Sequence, residues 1–286
     1  MIKKNLPSLA VVVPVYNEAA HLPKCLDGLI KQLQNVNEII IIDNNSSDES
    51  LTIARNYAKK YQQISVLLEP KQGLVPARNR GFRAAKSEII ARIDADTRVE
   101  PGWALAIREC FGANPDAAAL DGRVTYYDLP CQKLAAKISS LIVNNSNRTV
   151  SGSASLYGPN MALSARVARQ LLPISCTERW LNEDLDLTIH LRQIGGEIRY
   201  CPDMKAAISG RRLTSWPTNF WRYSLQWPRT YAAHGQTKAA RAAYVINFFG
   251  CLGQTLICPI LRAYDPSQQR LSWRQFKSRA SDRGLV

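Results

Sequence analysis

Carboxylates that follow apolar runs are the side chains in this sequence best suited to chemistry. Asp94-Ala95-Asp96 ends one such run and offers two carboxylates separated by one residue. A hard divalent cation prefers oxygen ligands and can bind a carboxylate and a diphosphate together. We therefore expect Asp96 to bind Mn²⁺ or Mg²⁺, with Asp94 facing a nucleoside or a metal-bound water. The triplet alone is a weak signal, because short acidic runs also occur in solvated turns.

Two other positions are candidates for contacts with a nucleotide. Asp43 closes another apolar run, where its carboxylate can accept hydrogen bonds from a base or ribose, or can cap the next helix. Arg78 lies near the start of a predicted basic helix, where its guanidinium and free backbone N–H groups can face phosphate. An exposed basic helix face is the alternative for Arg78.

The segment Trp180-Leu181-Asn182-Glu183-Asp184 puts two acids at the start of another predicted helix. Acids favour a helix N-terminus through the helix dipole, whether or not they react. Asp184 can also deprotonate a hydroxyl group as a general base. The sequence leaves both interpretations open at this position.

Alternating strands and helices must position these residues. We predict strands over 9–13, 38–42, 64–68, 89–93 and 117–124. We predict helices over 19–34, 46–61, 74–85, 101–111, 131–143 and 184–194, the second opened by a capping box of Ser46 and Glu49. In an open α/β sheet, ligands bind beyond the carboxyl ends of the strands, where the polar residues named above lie.

Composition and cysteine usage are those of an ordinary globular protein. The chain has 286 residues, of which 46% are hydrophobic and 21% charged, so it can bury a substantial core without disulfides. The number of cysteines is odd and they lack the paired spacing of zinc sites: Cys25, Cys110, Cys131, Cys176, Cys201, Cys251 and Cys258. We expect reduced cysteines and a cytoplasmic location.

The C-terminal part carries most of the positive charge. From Lys205 onward there are 13 Lys and Arg residues against two acids, a net charge of +11 out of +14 for the chain. The 21 residues 244–264 contain one charged residue, Arg262, and four of the six tryptophans lie after residue 210. We expect a helix or hairpin in an anionic membrane interface, with a buried, Pro-kinked core helix as the alternative.

Six short motifs in the same order resemble the family 2 glycosyltransferases, over roughly residues 8 to 210. They are Val13-Pro14-Val15-Tyr16-Asn17-Glu18, the strand end at 43–50, Ala77-Arg78-Asn79-Arg80-Gly81, Asp94-Ala95-Asp96, Gly158-Pro159-Asn160-Met161-Ala162 and Asn182-Glu183-Asp184. The resemblance implies the α/β GT-A fold, a Rossmann-like, mostly parallel sheet flanked by helices. We place this domain at 1–210, with a nucleotide-sugar half (1–98) and an acceptor half (99–210). A basic, Trp-rich helical extension follows at 211–286.

The resemblance also implies a role for each matching residue. Donor-binding residues would be Pro14, Tyr16, Glu18, Asp43, Arg78 and Asp94. Asp96 would bind the metal ion and Asp184 would be the general base. Residues near the acceptor would be Gly158, Asn160, Trp180 and Glu183.

Three departures from the family pattern stand out. Asn44-Asn45 lies where many relatives have Asp-Gly, which affects base recognition. Ser209-Gly210 lies where many relatives have a His metal ligand. Gln226-Trp227-Pro228-Arg229-Thr230 resembles the Q-x-x-R-W element of polymerising synthases, but with Thr in the last place. Arg229 would still contact the diphosphate, and a single sugar addition is favoured over polymerisation.

The function predicted from these elements is an inverting glycosyl transfer. The donor would be a nucleotide sugar, most readily a UDP-sugar, and the acceptor a hydroxyl of a lipid-linked, cell-surface glycan or small-molecule precursor. We expect peripheral contact with the inner face of the cytoplasmic membrane and no nucleic acid partner. One alternative is a nucleotidyltransferase, although the segment 13–18 lacks the usual glycine-rich basic loop. The other is a non-catalytic module that binds a nucleotide sugar or nucleic acid.

Overall fold

The computed structural model describes residues 6–130 and 155–278 and shows an α/β protein. The strands are β1 (Leu9–Val15), β2 (Glu38–Asp43), β3 (Ile64–Leu68), β4 (Ile89–Arg92), β5 (Arg98–Val99), β6 (Ala119–Tyr126), β7 (Met161–Ser164), β8 (Ile198–Ile208), β9 (Tyr264–Asp265) and β10 (Arg270–Leu271). The helices are α1 (Leu22–Ile30), α2 (Ser50–Lys60), α3 (Leu74–Ala84), α4 (Trp103–Ala113), α5 (Ala165–Leu171), α6 (Glu183–Gln193), α7 (Pro217–Ser224), α8 (Gln226–Ala233), α9 (Thr237–Ala263) and α10 (Trp273–Ser278).

The chain divides into two compact units. Unit 1 comprises Met1–Val124, Ser153–Thr177 and Leu187–Ile208. Unit 2 comprises Thr125–Gly152, Glu178–Asp186 and Ser209–Val286. The division of the chain at residue 210 into a catalytic domain and an extension stays a prediction.

Eight strands form one sheet in the order β3-β2-β1-β4-β7-β6-β8-β5. β1 pairs in parallel with both β2 and β4, and β2 pairs in parallel with β3. β7 then runs antiparallel to β4 and to β6, and β5 runs antiparallel to β8. The four parallel strands therefore bring the ends of β1, β2 and β4 to one edge of the sheet.

The apolar runs form strands because both faces of the sheet are covered. Along β1, Val11 and Val13 belong to one buried cluster, while Ala10 and Val12 belong to the other. Successive side chains of a strand point to opposite faces, so a strand buried on both faces is apolar throughout. This explains why β1 and β2 were recognisable in the sequence as continuous apolar runs.

The predicted elements are confirmed in order and type within the residues that the structure describes, and three helix starts are corrected. The helix predicted over 19–34 begins at Leu22 and ends at Ile30. The capping box of Ser46 and Glu49 is wrong, because α2 begins at Ser50 and Ser46 Oγ instead accepts a hydrogen bond from the Asn17 N–H at 3.1 Å. Pro101 lies in a turn, and α4 begins two residues later, after Gly102 in a left-handed conformation (φ 85°). The helix predicted over 131–143 lies outside the described residues.

Unit 2 contains the helices α7, α8, α9 and α10, together with the β9–β10 hairpin. α9 has 27 residues and contains Pro259 near its C-terminal end. Such a helix is about 40 Å long at 1.5 Å per residue. It packs against α7, α8 and α10, and the opposite side of α9 carries exposed apolar residues that are described below.

Candidate active site

The loops that follow β1 and β2 are hydrogen-bonded to each other. Asn17, with a positive φ of 52°, accepts a hydrogen bond through Oδ1 from the Ser47 N–H at 2.7 Å. One residue on, the Glu18 N–H donates to Ser50 Oγ at 2.8 Å. These bonds fix Tyr16 and Glu18 of the predicted donor set beside the end of β2.

Asp43 lies at the end of β2 with an unsatisfied carboxylate oxygen. The side chain is 3% exposed, and Oδ2 accepts a hydrogen bond from the Ser46 N–H at 3.3 Å. Oδ1 is buried and has no hydrogen-bond partner among the described residues. An unpartnered buried acceptor is costly, so it is a natural place for a donor group of a ligand.

Asn44 explains one departure from the family pattern. Its amide group donates to the Glu69 and Lys71 carbonyls, each at 2.8 Å, and accepts from the Gly73 N–H at 2.7 Å. Gly73 precedes α3, so this buried amide links the end of β2 to the start of the helix that carries Arg78. Asn44 therefore has a structural role, because it holds together the two segments that carry Asp43 and Arg78 of the predicted donor set.

The burial of Arg78 and the backbone conformation of Asn45 bear on two of the predictions for this region. Arg78 is fully buried and donates from Nη2 to Asn79 Oδ1 at 2.9 Å, so the alternative of an exposed basic helix face is wrong for this residue. Asn45 has a φ of 61°, and Asn tolerates this left-handed conformation better than most residues. Asn can therefore replace the Gly of many relatives at this position.

Three predicted carboxylates lie near one buried thiol, Cys25, in the region of the loop after β4. Burial first, and then the nearby charges of Asp96, Asp94 and Glu18, raise the pKa of the Cys25 thiol well above its usual range. Cys25 Sγ also lies 3.7 Å from the Asp94 carbonyl oxygen. The structure thus brings together Glu18, Asp94 and Asp96 of the predicted site.

The two carboxylates of the Asp94-Ala95-Asp96 loop have different environments. Asp94 Oδ1 accepts a hydrogen bond from Arg92 Nη2 at 2.6 Å, and its side chain is 34% exposed. Asp96 is 7% exposed. The cluster offers hard carboxylate oxygens, which fit Mg²⁺ or Mn²⁺ and do not suit a soft thiophilic metal. The residues present therefore fit the implied divalent ion.

The turn Gly158–Asn160 lies beside this loop in unit 1. Thr97, the residue after Asp96, donates through Oγ1 to the Pro159 carbonyl at 3.3 Å. Asn160 is fully buried, and its Oδ1 accepts from Trp103 Nε1 at 2.7 Å. Its Nδ2 donates to the carbonyls of Arg123 and Met204 at 3.0 and 2.8 Å.

Asn160 consequently stabilises the turn from inside. A primary amide has two hydrogens, and both are donated to backbone carbonyls of the protein. A Cβ at Gly122 would collide with Asn160 Nδ2 and the Met204 carbonyl, so this close approach requires glycine. The predicted proximity of Gly158 and Asn160 to an acceptor stays a prediction, and the Asn160 amide hydrogens are not available for it.

Asp184 lies in the first turn of α6, in unit 2, and is 8% exposed. Asn182 precedes the helix and its Oδ1 accepts from the Leu185 N–H at 2.9 Å, which is the bond of an N-cap residue. The Asn182 N–H donates to Thr230 Oγ1 at 2.8 Å. Trp180 is 49% exposed and Glu183 is half-buried next to the same helix start.

Two further departures have structural explanations within unit 2. Ser209 Oγ and the Gly210 N–H both donate to the Asp128 carboxylate at 2.6 Å. Where many relatives have a His that binds the metal, this segment therefore makes hydrogen bonds to an acidic side chain. Thr230 is fully buried and accepts the Asn182 N–H, while its neighbour Arg229 is exposed on α8. Thr therefore has a hydrogen-bonding role where the synthases have Trp.

Sequence reasoning missed one residue and one hydrogen bond that shape these regions. Arg92 lies within β4, is 1% exposed and pairs with Asp94. An Arg inside an apolar strand is rare without a partner, and this was the available signal. The hydrogen bond from Asn182 to Thr230 joins residues 48 positions apart, and no local pattern in the sequence announces it.

Comparison with known proteins identifies the class. The model of the family described as glycosyl transferase family 2 matches residues 10–159, just over half of the chain. The chain belongs to this family. It is 35% identical over 102 residues to glycosyltransferase AglE from Haloferax volcanii, covering 35% of this chain and 34% of that one. The matches span between 27% and 34% of the length of the first three curated relatives.

Solved structures confirm the predicted GT-A fold. The mannosyltransferase PcManGT from Pyrobaculum calidifontis, in complex with GDP-Man and Mn²⁺, has a TM-score of 0.59 at 17% identity and covers 96% of this chain and 85% of that chain. GalNAc-T7, solved with UDP, GalNAc and Mn²⁺, has a TM-score of 0.56 at 17% identity over 72% of this chain and 44% of that chain. At these identities the likeness concerns the fold.

Proposed function

We propose that the protein transfers a single sugar from a nucleoside diphosphate sugar to a hydroxyl group, with inversion at the anomeric carbon. The observation that carries the proposal is the set of polar groups at the ends of β1, β2 and β4 in unit 1. An unpartnered Asp43 oxygen and the convergent carboxylates of Glu18, Asp94 and Asp96 lie there. The Asp43 oxygen suits a nucleoside, and the three carboxylates suit a metal-bound diphosphate.

Asp43 favours a base that carries a ring N–H. Its Oδ1 is a buried acceptor, and uracil and guanine both present a ring N–H donor, whereas cytosine has an acceptor at the corresponding ring nitrogen. We propose UDP as the carrier; of the two solved structures described above, GalNAc-T7 is in complex with UDP and PcManGT with GDP-Man. Tyr16 and Arg78, on neighbouring segments of unit 1, complete the proposed nucleotide pocket, with Pro14 at the end of β1.

Asp184 acts as the general base in the proposed reaction. Its carboxylate takes the proton of the acceptor hydroxyl while the acceptor oxygen forms a bond to the anomeric carbon. The bond from that carbon to the diphosphate breaks, and the nucleoside diphosphate leaves with the electron pair. Arg229 contributes positive charge to the leaving diphosphate, and Trp180 and Glu183 shape the acceptor pocket.

Asp96, with Asp94, would hold Mn²⁺ or Mg²⁺. When bound, such an ion stabilises the negative charge that develops on the departing diphosphate. Arg92 holds one oxygen of Asp94 at 2.6 Å and so orients that carboxylate. Both solved structures described above are complexes with Mn²⁺.

A nucleotide-release assay tests this function. Purified protein is incubated with Mn²⁺ and UDP-, GDP-, CDP- and dTDP-sugars, with a lipid extract as the source of acceptor. We expect release from UDP-sugars only, and a loss of about 10²- to 10⁴-fold in Asp184→Asn. Asp96→Ala should lose metal dependence together with activity, while exposed Asp116→Asn serves as the control. Metal-dependent binding of a donor without any turnover would instead support a binding module.

A different observation favours contact with a membrane. The side of α9 that packs inside unit 2 carries polar residues beside the buried Cys251, Cys258 and Leu261. Asn247 Nδ2 donates to the Ser224 carbonyl, Gln254 Nε2 to those of Leu213 and Ser215, and Arg262 Nη1 to that of Thr214. The outer side is apolar. Its exposed residues are Tyr244, Val245, Ile246, Phe248, Phe249, Leu252, Leu256, Ile257 and Ile260.

A surface helix in water is expected to expose polar residues and bury apolar ones, whereas α9 exposes a row of large apolar residues. Among the described residues, α9 is long and apolar enough to cross a membrane. Only 22% of its most apolar 18-residue segment is buried inside the protein. A core helix would be largely buried, so the alternative of a buried core helix does not fit these residues. The polar contacts on the inner side favour a helix that lies along a membrane surface over one that crosses it.

We propose that this apolar side of α9 binds an anionic membrane, where the acceptor would also be found. Lys238 and Arg241 lie at the N-terminal end of α9, and Arg270 and Arg274 follow its C-terminal end. Asp265 is the single acid between Lys205 and Ser278. Basic residues near a membrane surface contribute about 1 kcal/mol each with anionic lipid. The basic residues around α9 and its apolar side therefore both favour an anionic membrane as the partner.

Vesicle flotation tests the membrane proposal. We expect the full-length protein to float with vesicles of phosphatidylcholine and phosphatidylglycerol, and less with phosphatidylcholine alone. Phe249→Gln combined with Leu256→Gln should abolish flotation, whereas Leu68→Gln, at an exposed apolar residue on β3 of unit 1, should not. Flotation of the double variant at the wild-type level would rule out this surface. A concentration-dependent dimer lost in the double variant would identify a second copy as the partner.

A further inference from the structure

α8 is hydrogen-bonded to the segment that carries Asp184 at three places. Gln226 Nε2 donates to the Arg179 carbonyl at 3.1 Å. One turn later, Thr230 Oγ1 accepts from the Asn182 N–H at 2.8 Å. At the end of the helix, His234 Nε2 lies 2.9 Å from Asp186 Oδ1. All six residues belong to unit 2.

The three residues of α8 are spaced so that they share one side of the helix. Residues 226, 230 and 234 are each four apart, and residues at this spacing are neighbours on a helix surface. The His234 N–H still bonds to the Thr230 carbonyl at 3.2 Å, so the helical pattern extends to His234. The contacts therefore form a row along one side of α8 rather than isolated bonds.

Thr230 supplies a bond that α6 cannot make by itself. In a capping box, Glu or Gln at the third helical position accepts the N–H of the N-cap residue. The third residue of α6 is Leu185, which has no acceptor. Thr230 Oγ1 takes that role for Asn182, and its own hydroxyl hydrogen is directed to the Gln226 carbonyl at 2.7 Å.

His234 fixes the same helix start from the other side of Asp184. Asp186 is 1% exposed, and its Oδ1 lies 2.9 Å from His234 Nε2, so an ionised Asp186 carboxylate pairs with the imidazole form that carries a proton on Nε2. Asp184 thus lies between two anchored residues, Asn182 and Asp186. With both neighbours tied to α8, the backbone at Asp184 has little freedom to move.

We propose that the Gln226–His234 side of α8 positions the general base, with Thr230 and His234 as positioning residues for Asp184. This inference rests on the proposed function, because it takes Asp184 as the base. It assigns to the Gln-x-x-Arg-Thr element a role in orienting the catalytic helix. Small displacements of a catalytic group can reduce rates by up to about 10²-fold, so loss of these bonds is expected to act on turnover.

The test compares variants of Thr230 and His234 in the nucleotide-release assay with the UDP-sugar that is turned over. Thr230→Val keeps the shape but removes the hydroxyl, and we expect kcat to fall about tenfold with an unchanged KM for the donor. Thr230→Ser should restore kcat, since it restores the acceptor. His234→Gln, which keeps a donor for Asp186, should be faster than His234→Leu. Exposed Thr52→Val on α2 serves as the control.

A double variant separates this inference from the proposed function. If Thr230 acts through Asp184, then Thr230→Val added to Asp184→Asn should cause no further loss of kcat. An additional tenfold loss, or wild-type kcat in Thr230→Val, would overturn the positioning role while leaving the base in place. Wild-type kcat in Asp184→Asn would instead remove the base itself. Hydrogen exchange of the backbone amides at 182–186 should accelerate in Thr230→Val and not in Thr230→Ser. This measurement does not depend on which nucleotide sugar the protein uses.

Discussion

The apolar residues of β2 and those of α9 have similar composition but opposite environments. Ile39 and Ile41 are fully buried in unit 1, between the sheet and its helices. Ile246 and Leu256 on α9 are 61% and 71% exposed. On β2 the polar residue lies at the end of the strand, as Asp43, whereas α9 directs its polar residues toward the protein.

This difference shows that apolar character alone does not locate a residue. In unit 1, burial on both faces of a sheet leaves polar chemistry at the strand ends, where ligands bind. In unit 2, internal hydrogen bonds hold the polar side of α9 and leave the apolar side available to another apolar medium. The two regions therefore suit the two different partners proposed above, a charged nucleotide for unit 1 and a lipid surface for α9. Four predictions test this contrast, from the largest expected effect to the smallest.

The same substitution should have very different effects in the two regions. Ile41→Ala should lower the free energy of unfolding by about 4 kcal/mol, because it creates a cavity in a core that is closed on both sides. Ile246→Ala should change it by less than about 0.5 kcal/mol in detergent-free buffer. Urea denaturation measures both. A large cost for Ile246→Ala would mean that protein, rather than solvent or lipid, covers this side of α9.

Asn160→Leu should destabilise unit 1 by about 3 kcal/mol, since it leaves the Trp103 N–H and two carbonyls without their partner. Exposed Asn56→Leu on α2 is the matched control and should be close to neutral. Thermal and urea unfolding of the two variants give the comparison. If the variants are equally stable, the amide of Asn160 is not the structural link that its three hydrogen bonds indicate.

Asp43→Asn should weaken binding of UDP by about tenfold without loss of stability. A hydrogen bond to a charged group contributes about 1.5–3 kcal/mol, and the amide lacks the charge. Calorimetry with UDP and Mn²⁺ measures the affinity, with exposed Asp116→Asn as the control. Unchanged affinity would show that the unpartnered oxygen of Asp43 does not face the nucleotide.

The smallest effect concerns pH. Burial, and then the hydrogen bond to Asp27 at 2.7 Å, raise the pKa of Tyr57 to about 12. The unfolded value is about 10, so the stability gained from this group is present below pH 10 and is lost as pH rises toward 12. Tyr57 is only half-buried, so solvent screening keeps the effect small. Tyr57→Phe should flatten the decline in melting temperature over this window, and an unchanged slope would contradict the assignment.

Several parts of the site were predictable because they depend on local pattern. The strands β1 to β4 follow from continuous apolar runs, and Asp43, Asp94 and Asp96 were recognisable because each follows such a run. The end of the helix predicted over 184–194 was also predictable, because Gly195 follows it and glycine readily adopts the positive φ of 76° found there. Boundaries that depend on hydrogen bonds across loops, such as the start of α2, were not.

The sequence by itself therefore determined the order of strands and helices, the family and the polar residues at the strand ends, because neighbouring residues encode these features. Only the tertiary structure decided which oxygen of Asp43 has no partner, that Asn160 uses both amide hydrogens internally, and which side of α9 is exposed. It also decided that Thr230 holds Asn182 across 48 positions of sequence. Each of these depends on contacts between distant segments, and such contacts form only when the chain has folded.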